Sequence, residues 1–109
     1  MSRSRKKVLI VGAGVAGRLL KKDIDSNYPD IEVVGFIDDQ RKRNKQILGT
    51  GGDLGRIYGD YFIDEVVIAI PSADGKQIRR VLLNSLDNRV PIRIVPRREI
   101  VLQTDIVKY

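Results

Sequence analysis

The sequence contains no cysteine and no histidine. Their absence excludes disulfide scaffolds, Cys/His zinc sites, cysteine nucleophiles and every histidine-based acid–base relay. Aromatic residues are scarce, at 6%, and no apolar run approaches the roughly 18–20 residues of a membrane span. The basic start runs directly into a short apolar stretch rather than a secretory signal pattern. We therefore expect a cytoplasmic protein.

The 109 residues are 42% hydrophobic and 31% charged, which suits one globular domain. We expect a basic N-terminal segment over residues 1–6 and a single folded domain over residues 7–109. The formal net charge is +6, and the basic excess is concentrated in residues 1–7 and 41–45. No aromatic side chain interrupts either stretch, so we do not expect nucleic-acid binding. Both stretches are either solvated polar segments or surfaces that face phosphate or a membrane.

Strand and helix patterns alternate along the chain. Short apolar, β-branched runs predict strands over residues 8–11, 33–37 and 66–70, with an edge strand over 91–95. Residues 40–52 are polar and rich in glycine, which indicates a loop with at most a brief strand. This alternation predicts a three-layer α/β domain: a parallel sheet with helices on both faces, its strand order undetermined.

Three helices are expected between these strands. The first begins after the glycine loop, ends before Pro29 and presents an apolar stripe. That stripe consists of Val15, Leu19, Leu20 and Ile24. Asp53 is placed to cap a short helix that runs to about Gly59, and Asp74 is placed to cap the third.

Residues 12–17 read G-A-G-V-A-G, a complete G-x-G-x-x-G that follows a buried strand and begins an amphipathic helix. Gly12 permits the tight turn, and Gly14 lets a diphosphate approach the backbone at the helix N-terminus. Gly17 allows close packing of the helix on the strand. We predict that the loop binds a phosphorylated nucleotide, with Val15 and Ala16 beside it; the alternative is a glycine turn kept for packing.

Asp38 ends the second predicted strand, where a carboxylate can accept hydrogen bonds from both ribose hydroxyls of a dinucleotide. An acid at that position favours NAD over NADP. Arg41 and Arg43 follow closely and can reach a 2′-phosphate, which would weaken that preference. The other interpretation is that Asp38 and Asp39 are turn formers at the start of the loop.

Pro71 and Ser72 follow the third long strand. If that strand neighbours the first, the pair lies at the topological switch point, where ligands of open α/β sheets bind. Ser72 can then donate a hydrogen bond to a phosphate or a ribose, or it can simply begin the next helix.

No catalytic residue is recognisable in the chain, because it lacks histidine, cysteine and a Tyr-x-x-x-Lys pair.

Four strings carry a resemblance to a known family. They are KVLIVGAG (7–14), VVGFIDD (33–39), DEVVIAIPS (64–72) and IRIVP (92–96). In this order and spacing the chain resembles the N-terminal Rossmann-like domain of bacterial polysaccharide-biosynthesis nucleotide-sugar dehydratases and epimerases. The resemblance implies a nucleotide-binding Rossmann-like domain of an enzyme that acts on UDP-amino-sugars, with NAD or NADP as cofactor. It also implies a separate catalytic domain and a neighbouring membrane segment, which suits a place at the inner face of the membrane.

A second resemblance competes. The N-terminal domain of glycan-pathway sugar acetyltransferases also runs from a glycine loop to Gly-Phe-Ile-Asp-Asp, and there the crevice holds a UDP-sugar. The same positions, Gly12, Gly14, Asp38 and Asp39, would then contact that ligand. This alternative is a non-catalytic sensing module that binds a UDP-sugar, NAD or CoA.

The apolar segment 100–107 is a candidate surface for a homo-oligomer.

Overall fold

The computed structural model describes residues 5–69 and 89–95, together with Arg79 and Leu83. Its elements are β1 (Lys6–Val11), α1 (Val15–Asn27), β2 (Ile31–Ile37), β3 (Ile47–Gly49), a 3-10 turn (Gly51–Asp53), α2 (Leu54–Asp60), β4 (Glu65–Ile68) and β5 (Ile92–Ile94). The predictions for Pro71 and Ser72, for the helix after Asp74 as a whole and for the tail 100–107 fall outside the described residues.

The five strands form one sheet in the order β3-β2-β1-β4-β5, and every pair within it is parallel. The chain moves from β1 to β2 and β3 on one side and then crosses back to β4 and β5 on the other. The strand order therefore reverses between β1 and β4, which makes that gap the topological switch point. The brief strand within 40–52 and the edge position of β5 are both as expected.

Side chains alternate between the two faces of the sheet, and each face is covered by a helix. Under α1 lies one buried cluster, which includes Val8, Ile10, Leu20, Ile24, Phe36 and Val67. Under α2 lies a second, which includes Leu9, Val11, Ile37, Leu54, Ile57 and Val66. This confirms the predicted three-layer α/β fold.

Within the described part of the chain, no helix is both long enough and apolar enough to cross a membrane.

The apolar stripe of α1 differs from the prediction at its first position. Leu20 and Ile24 are buried and Leu19 is partly buried, but the side chain of Val15 is 67% exposed. Ala16, one position further on and about 100° around the helix, packs against the sheet in its place. Val15 instead lies at the mouth of the glycine loop, so the expectation that it belongs to the core was wrong.

Asp53 also acts differently from the expected cap. It occupies the N-cap position of α2 but makes no side-chain hydrogen bond to that helix. Its Oδ2 instead accepts hydrogen bonds from the backbone N–H of Thr50 at 2.8 Å and from the Thr50 hydroxyl at 3.2 Å. These bonds belong to a capping box around the 3-10 turn, because Asp53 is the third residue of that turn as well as the residue before α2.

Candidate functional site

The glycine loop begins where β1 ends, at the carboxyl edge of the sheet. Gly12 has a φ of 108°, a conformation that only glycine adopts without strain. Its N–H donates to the carbonyl of Ile37 at 2.7 Å, which ties the turn to the end of β2. The turn then feeds directly into α1, whose first regular bond runs from the Arg18 N–H to the Gly14 carbonyl at 3.1 Å.

The two other glycines of the loop have different surroundings. A Cβ at Gly17 would overlap the carbonyl oxygen of Gly12, so only glycine lets α1 lie this close to the end of β1. Among the described residues that are not its chain neighbours, a Cβ at Gly14 would come nearest to Nη2 of Arg41, at 3.7 Å. Gly17 therefore serves packing, whereas Gly14 leaves the backbone open to an approaching group.

The N-terminus of α1 lies at the glycine loop and is the candidate anion-binding feature of the site. The first N–H groups of a helix have no acceptor within the helix, and the helix dipole adds positive potential there. The exposed Val15 and the buried Ala16 occupy this first turn. This helix start therefore offers backbone N–H groups of the kind that can bind a phosphate group, with the exposed Val15 and the buried Ala16 as its first two residues.

Asp38 follows β2 and reaches across to the glycine loop. Its Oδ2 accepts a hydrogen bond from the backbone N–H of Ala13 at 2.9 Å, and its Oδ1 accepts one from Gln40 at 2.8 Å. The side chain is 14% exposed. The carboxylate is thus fixed beside the glycine loop at the carboxyl end of β2, and its remaining lone pairs can accept further hydrogen bonds.

Arg41 lies between Asp38 and the loop. Its Nε is 3.6 Å from Oδ2 of Asp38, and about half of its side chain is exposed. Its Nη2 lies 3.7 Å from the position that a Cβ of Gly14 would occupy. The guanidinium therefore lies at the place where the loop would receive a phosphate group.

Asp39 and Arg43 face a different part of the structure. Oδ1 of Asp39 accepts a hydrogen bond from the Gly51 N–H at 2.7 Å, which anchors the 3-10 turn to the end of β2. The backbone hydrogen bond from Thr50 lowers the pKa of Asp53, and Arg56 and Arg43 lower it further by their positive charge. The positive charge of Arg43 therefore favours the ionised form of Asp53, whose carboxylate closes the 3-10 turn.

The carboxyl end of β4 completes the described edge of the site. The Ala69 N–H donates to the Val11 carbonyl at 3.0 Å, which places Ala69 directly beside the residue that precedes the glycine loop. The prediction for Pro71 and Ser72 required that the strand before them, β4, should neighbour β1, and β4 does pair with β1. Among the residues that the structure describes, no group of three or more acidic side chains is arranged to hold a metal ion.

Two contacts of the site were missed by sequence reasoning: the bond from Ala13 to Asp38, and the position of Arg41 over Gly14. The second had a local signal, since Asp38 and Arg41 are three residues apart with opposite charges. The first had none, because it joins two loops that only the pairing of β1 with β2 brings together.

The strand order, the glycine loop and the carboxylate at the end of β2 define a Rossmann-like nucleotide-binding domain. The model of the CoA-binding domain family matches residues 1–96, and the chain belongs to that family. The family and the fold agree with the resemblance that the four sequence strings carry. No curated protein shows significant sequence similarity to the chain.

Solved structures share the fold. UDP-D-quinovosamine 4-dehydrogenase from Vibrio fischeri matches with a TM-score of 0.68 and 26% identity, over 93% of this chain and 86% of that one. RSP, a Rex-family repressor, matches with a TM-score of 0.62 and 13% identity over 94% of this chain. DAP dehydrogenase from C. glutamicum matches with a TM-score of 0.59 and 19% identity over 90% of this chain. This chain spans 58% of RSP and 32% of DAP dehydrogenase.

Proposed function

We propose that this domain binds NAD or NADP at the glycine loop and Asp38, as the nucleotide-binding part of an enzyme that acts on nucleotide sugars. The observation that carries the proposal is the 2.9 Å hydrogen bond from the Ala13 N–H to Oδ2 of Asp38. It holds the carboxylate beside the loop proposed to receive the diphosphate, as in dinucleotide-binding domains where an acid at the end of the second strand binds the ribose.

Each part of the cofactor has a counterpart in the chain. The diphosphate binds to the N–H groups at the start of α1, where Gly14 leaves room and the helix dipole favours negative charge. The ribose hydroxyls donate to the carboxylate of Asp38, whose charge disfavours a 2′-phosphate and so favours NAD. The nicotinamide end then extends over the switch point between β1 and β4, toward Pro71 and Ser72.

The proposed reaction class is that of a nucleotide-sugar 4,6-dehydratase, epimerase or dehydrogenase acting on UDP-amino-sugars for surface polysaccharides. The 26% identity to UDP-D-quinovosamine 4-dehydrogenase supports this class. The 109 residues contain no histidine or cysteine, so we propose that a separate catalytic domain supplies the acid–base groups. The basic residues Arg5, Lys6 and Lys7 suit a place at the inner face of a membrane.

A second candidate is a sensing module that binds NAD, CoA or a UDP-sugar without converting it. The description of the family as CoA-binding favours this candidate. So does the likeness in fold to RSP, a repressor that has also been solved in complex with β-NADH, here at 12% identity. Such a module would report its occupancy to a partner domain or to a second copy of the chain.

Parallel calorimetric titrations with NAD, NADP, CoA and UDP-N-acetylglucosamine test the proposal. Binding of NAD in preference to the other three supports the cofactor role and the assignment of Asp38 to a ribose. Selective binding of CoA or UDP-N-acetylglucosamine contradicts it and favours the sensing module. A turnover assay with NAD and UDP-N-acetylglucosamine adds a second test, because product formation by this chain alone would exclude a purely sensing role.

A further inference from the structure

We propose that Arg41 is a diphosphate-binding residue that exchanges Asp38 for the diphosphate when a nucleotide binds. This inference rests on the proposed function, because it concerns the same glycine loop. It assigns to Arg41 a different role from that of reading a 2′-phosphate on the ribose. The consequence is a site that responds to the diphosphate and leaves discrimination at the ribose to Asp38.

The position of the guanidinium is the first observation. Nη2 of Arg41 lies 3.7 Å from the point where a Cβ of Gly14 would be. Apart from Gly14 and its two chain neighbours, no other heavy atom of the described residues lies within 4 Å of that point. Gly14 is the residue whose open side admits the diphosphate. The guanidinium therefore lies beside the position proposed for the diphosphate, whereas a side chain that recognises the 2′-phosphate would have to lie beyond Asp38.

The electrostatics favour an exchange of partners. The Nε of Arg41 is 3.6 Å from Oδ2 of Asp38 and half of its side chain is exposed, so this ion pair contributes little. The guanidinium also lies against the positive end of the α1 dipole, which is unfavourable for a cation. The negative charge of a diphosphate between the helix N-terminus and Arg41 would be favourable both to the helix dipole and to the guanidinium. The diphosphate would also accept charge-assisted hydrogen bonds from the guanidinium.

Asp38 does not depend on Arg41 for its position. The backbone N–H groups of Ala13 and Gln40 hold its two carboxylate oxygens, at 2.9 and 2.8 Å. When Arg41 turns to the diphosphate, Oδ2 keeps its bond to Ala13 and gains room to accept a ribose hydroxyl. Binding of the diphosphate thereby prepares the carboxylate for the ribose.

The chain offers a matched control. Lys42 is the next residue in the same loop and is exposed, and no ion pair of Lys42 is present within the described part of the chain. Replacing either residue by alanine removes one positive charge from the loop. A loss that is specific to Arg41 therefore reports its position over Gly14 and not the general basicity of residues 41–45.

The experiment compares the wild type, Arg41→Ala, Arg41→Lys and Lys42→Ala by calorimetric titration with NAD, NADP, ADP and AMP at one ionic strength. Arg41→Ala should lower the affinities for NAD, NADP and ADP alike, by about tenfold or more. It should lower the affinity for AMP, which has no diphosphate, by much less. Arg41→Lys should recover part of the loss, and Lys42→Ala should change each affinity less than about threefold. Thermal unfolding should show nearly unchanged midpoints for all variants, because both side chains are exposed.

The outcomes separate the two proposals. If the wild type binds NAD and Arg41→Ala loses affinity for NADP alone, Arg41 reads the 2′-phosphate and the inference is wrong. If Arg41→Ala binds NAD, ADP and AMP as the wild type does, or loses no more than Lys42→Ala, the inference is equally overturned while the proposed function stands. If the wild type binds none of the diphosphate nucleotides, the proposed function fails and the inference fails with it.

Discussion

The carboxylate of Asp38 and the backbone N–H of Ala13 are joined by a 2.9 Å hydrogen bond between the end of β2 and the glycine loop after β1. The bond links the two parts of the candidate site that we propose to recognise the ribose and the diphosphate of a nucleotide. It also means that Asp38 supports the shape of the loop as well as offering oxygens to a ligand. A test of its binding role must separate these two contributions.

The replacement Asp38→Ala should weaken NAD binding more than the binding of an analogue that lacks the ribose hydroxyls. The physical reason is that, of the two ligands, only NAD carries the diol proposed to donate to this carboxylate, and hydrogen bonds to a charged group contribute about 1.5–3 kcal/mol. Parallel titrations with the two ligands measure the difference. Asp38→Asn is the control for the loop, because its amide oxygen can still accept the bond from Ala13. Equal losses for NAD and for the analogue would show that Asp38 acts only through the loop.

Gly17→Ala should destabilise the fold. The new Cβ would overlap the carbonyl oxygen of Gly12, so α1 would have to move away from the sheet, at a cost of about 1–3 kcal/mol. Gly59→Ala is the matched control, since a Cβ at that helical position meets nothing within 4 Å. It should stabilise the chain by about 0.4–1 kcal/mol. Urea denaturation of both variants measures these changes, and a Gly17→Ala variant as stable as the wild type would refute the packing role.

Gly14→Ala should separate binding from stability. A Cβ there makes only an ordinary contact, 3.7 Å from Nη2 of Arg41, so the free energy of unfolding should change by less than about 1 kcal/mol. The methyl group nevertheless occupies the side from which a diphosphate approaches the backbone. We expect NAD affinity to fall while the thermal midpoint stays close to that of the wild type. Unchanged affinity would mean that the ligand does not approach Gly14.

Asp53 should contribute to stability against acid. The hydrogen bond from the Thr50 N–H lowers its pKa below the ordinary value of 3.8. A group with a lowered pKa in the folded state stabilises the protein above its unfolded-state pKa, and this contribution is lost as pH falls through the folded-state pKa. Asp53→Asn should therefore be less stable than the wild type at pH 7, and the difference should shrink below about pH 4.

Chemical denaturation of Asp53→Asn and the wild type at pH 7 and at pH 3 measures this effect. Asp60→Asn provides the comparison, because its carboxylate is largely exposed and forms only a surface ion pair with Arg56. It should show a smaller dependence on pH. A stability difference for Asp53→Asn that is the same at both pH values would contradict the assignment.

Much of the fold could be predicted from local patterns. The β-branched run before residue 12 and the helical spacing of Leu20 and Ile24 indicate β1 and α1, because burial on a sheet or a helix face requires those periods. The glycine loop could be placed as well, since Gly12 and Gly17 meet backbone requirements that are local to the turn. The exposure of Val15 could not be predicted, because it depends on how α1 is rotated against the sheet.

The sequence by itself therefore determined the alternation of strands and helices, the position of the glycine loop and the presence of a carboxylate at the end of β2. Tertiary structure decided the order of the strands, the bond between Ala13 and Asp38 and the place of Arg41 over Gly14. These features depend on the pairing of β2 with β1 and β3, which sets the path of the loop between residues 38 and 46. Contacts between segments that are distant in sequence leave no periodic pattern, so only the assembled sheet reveals them.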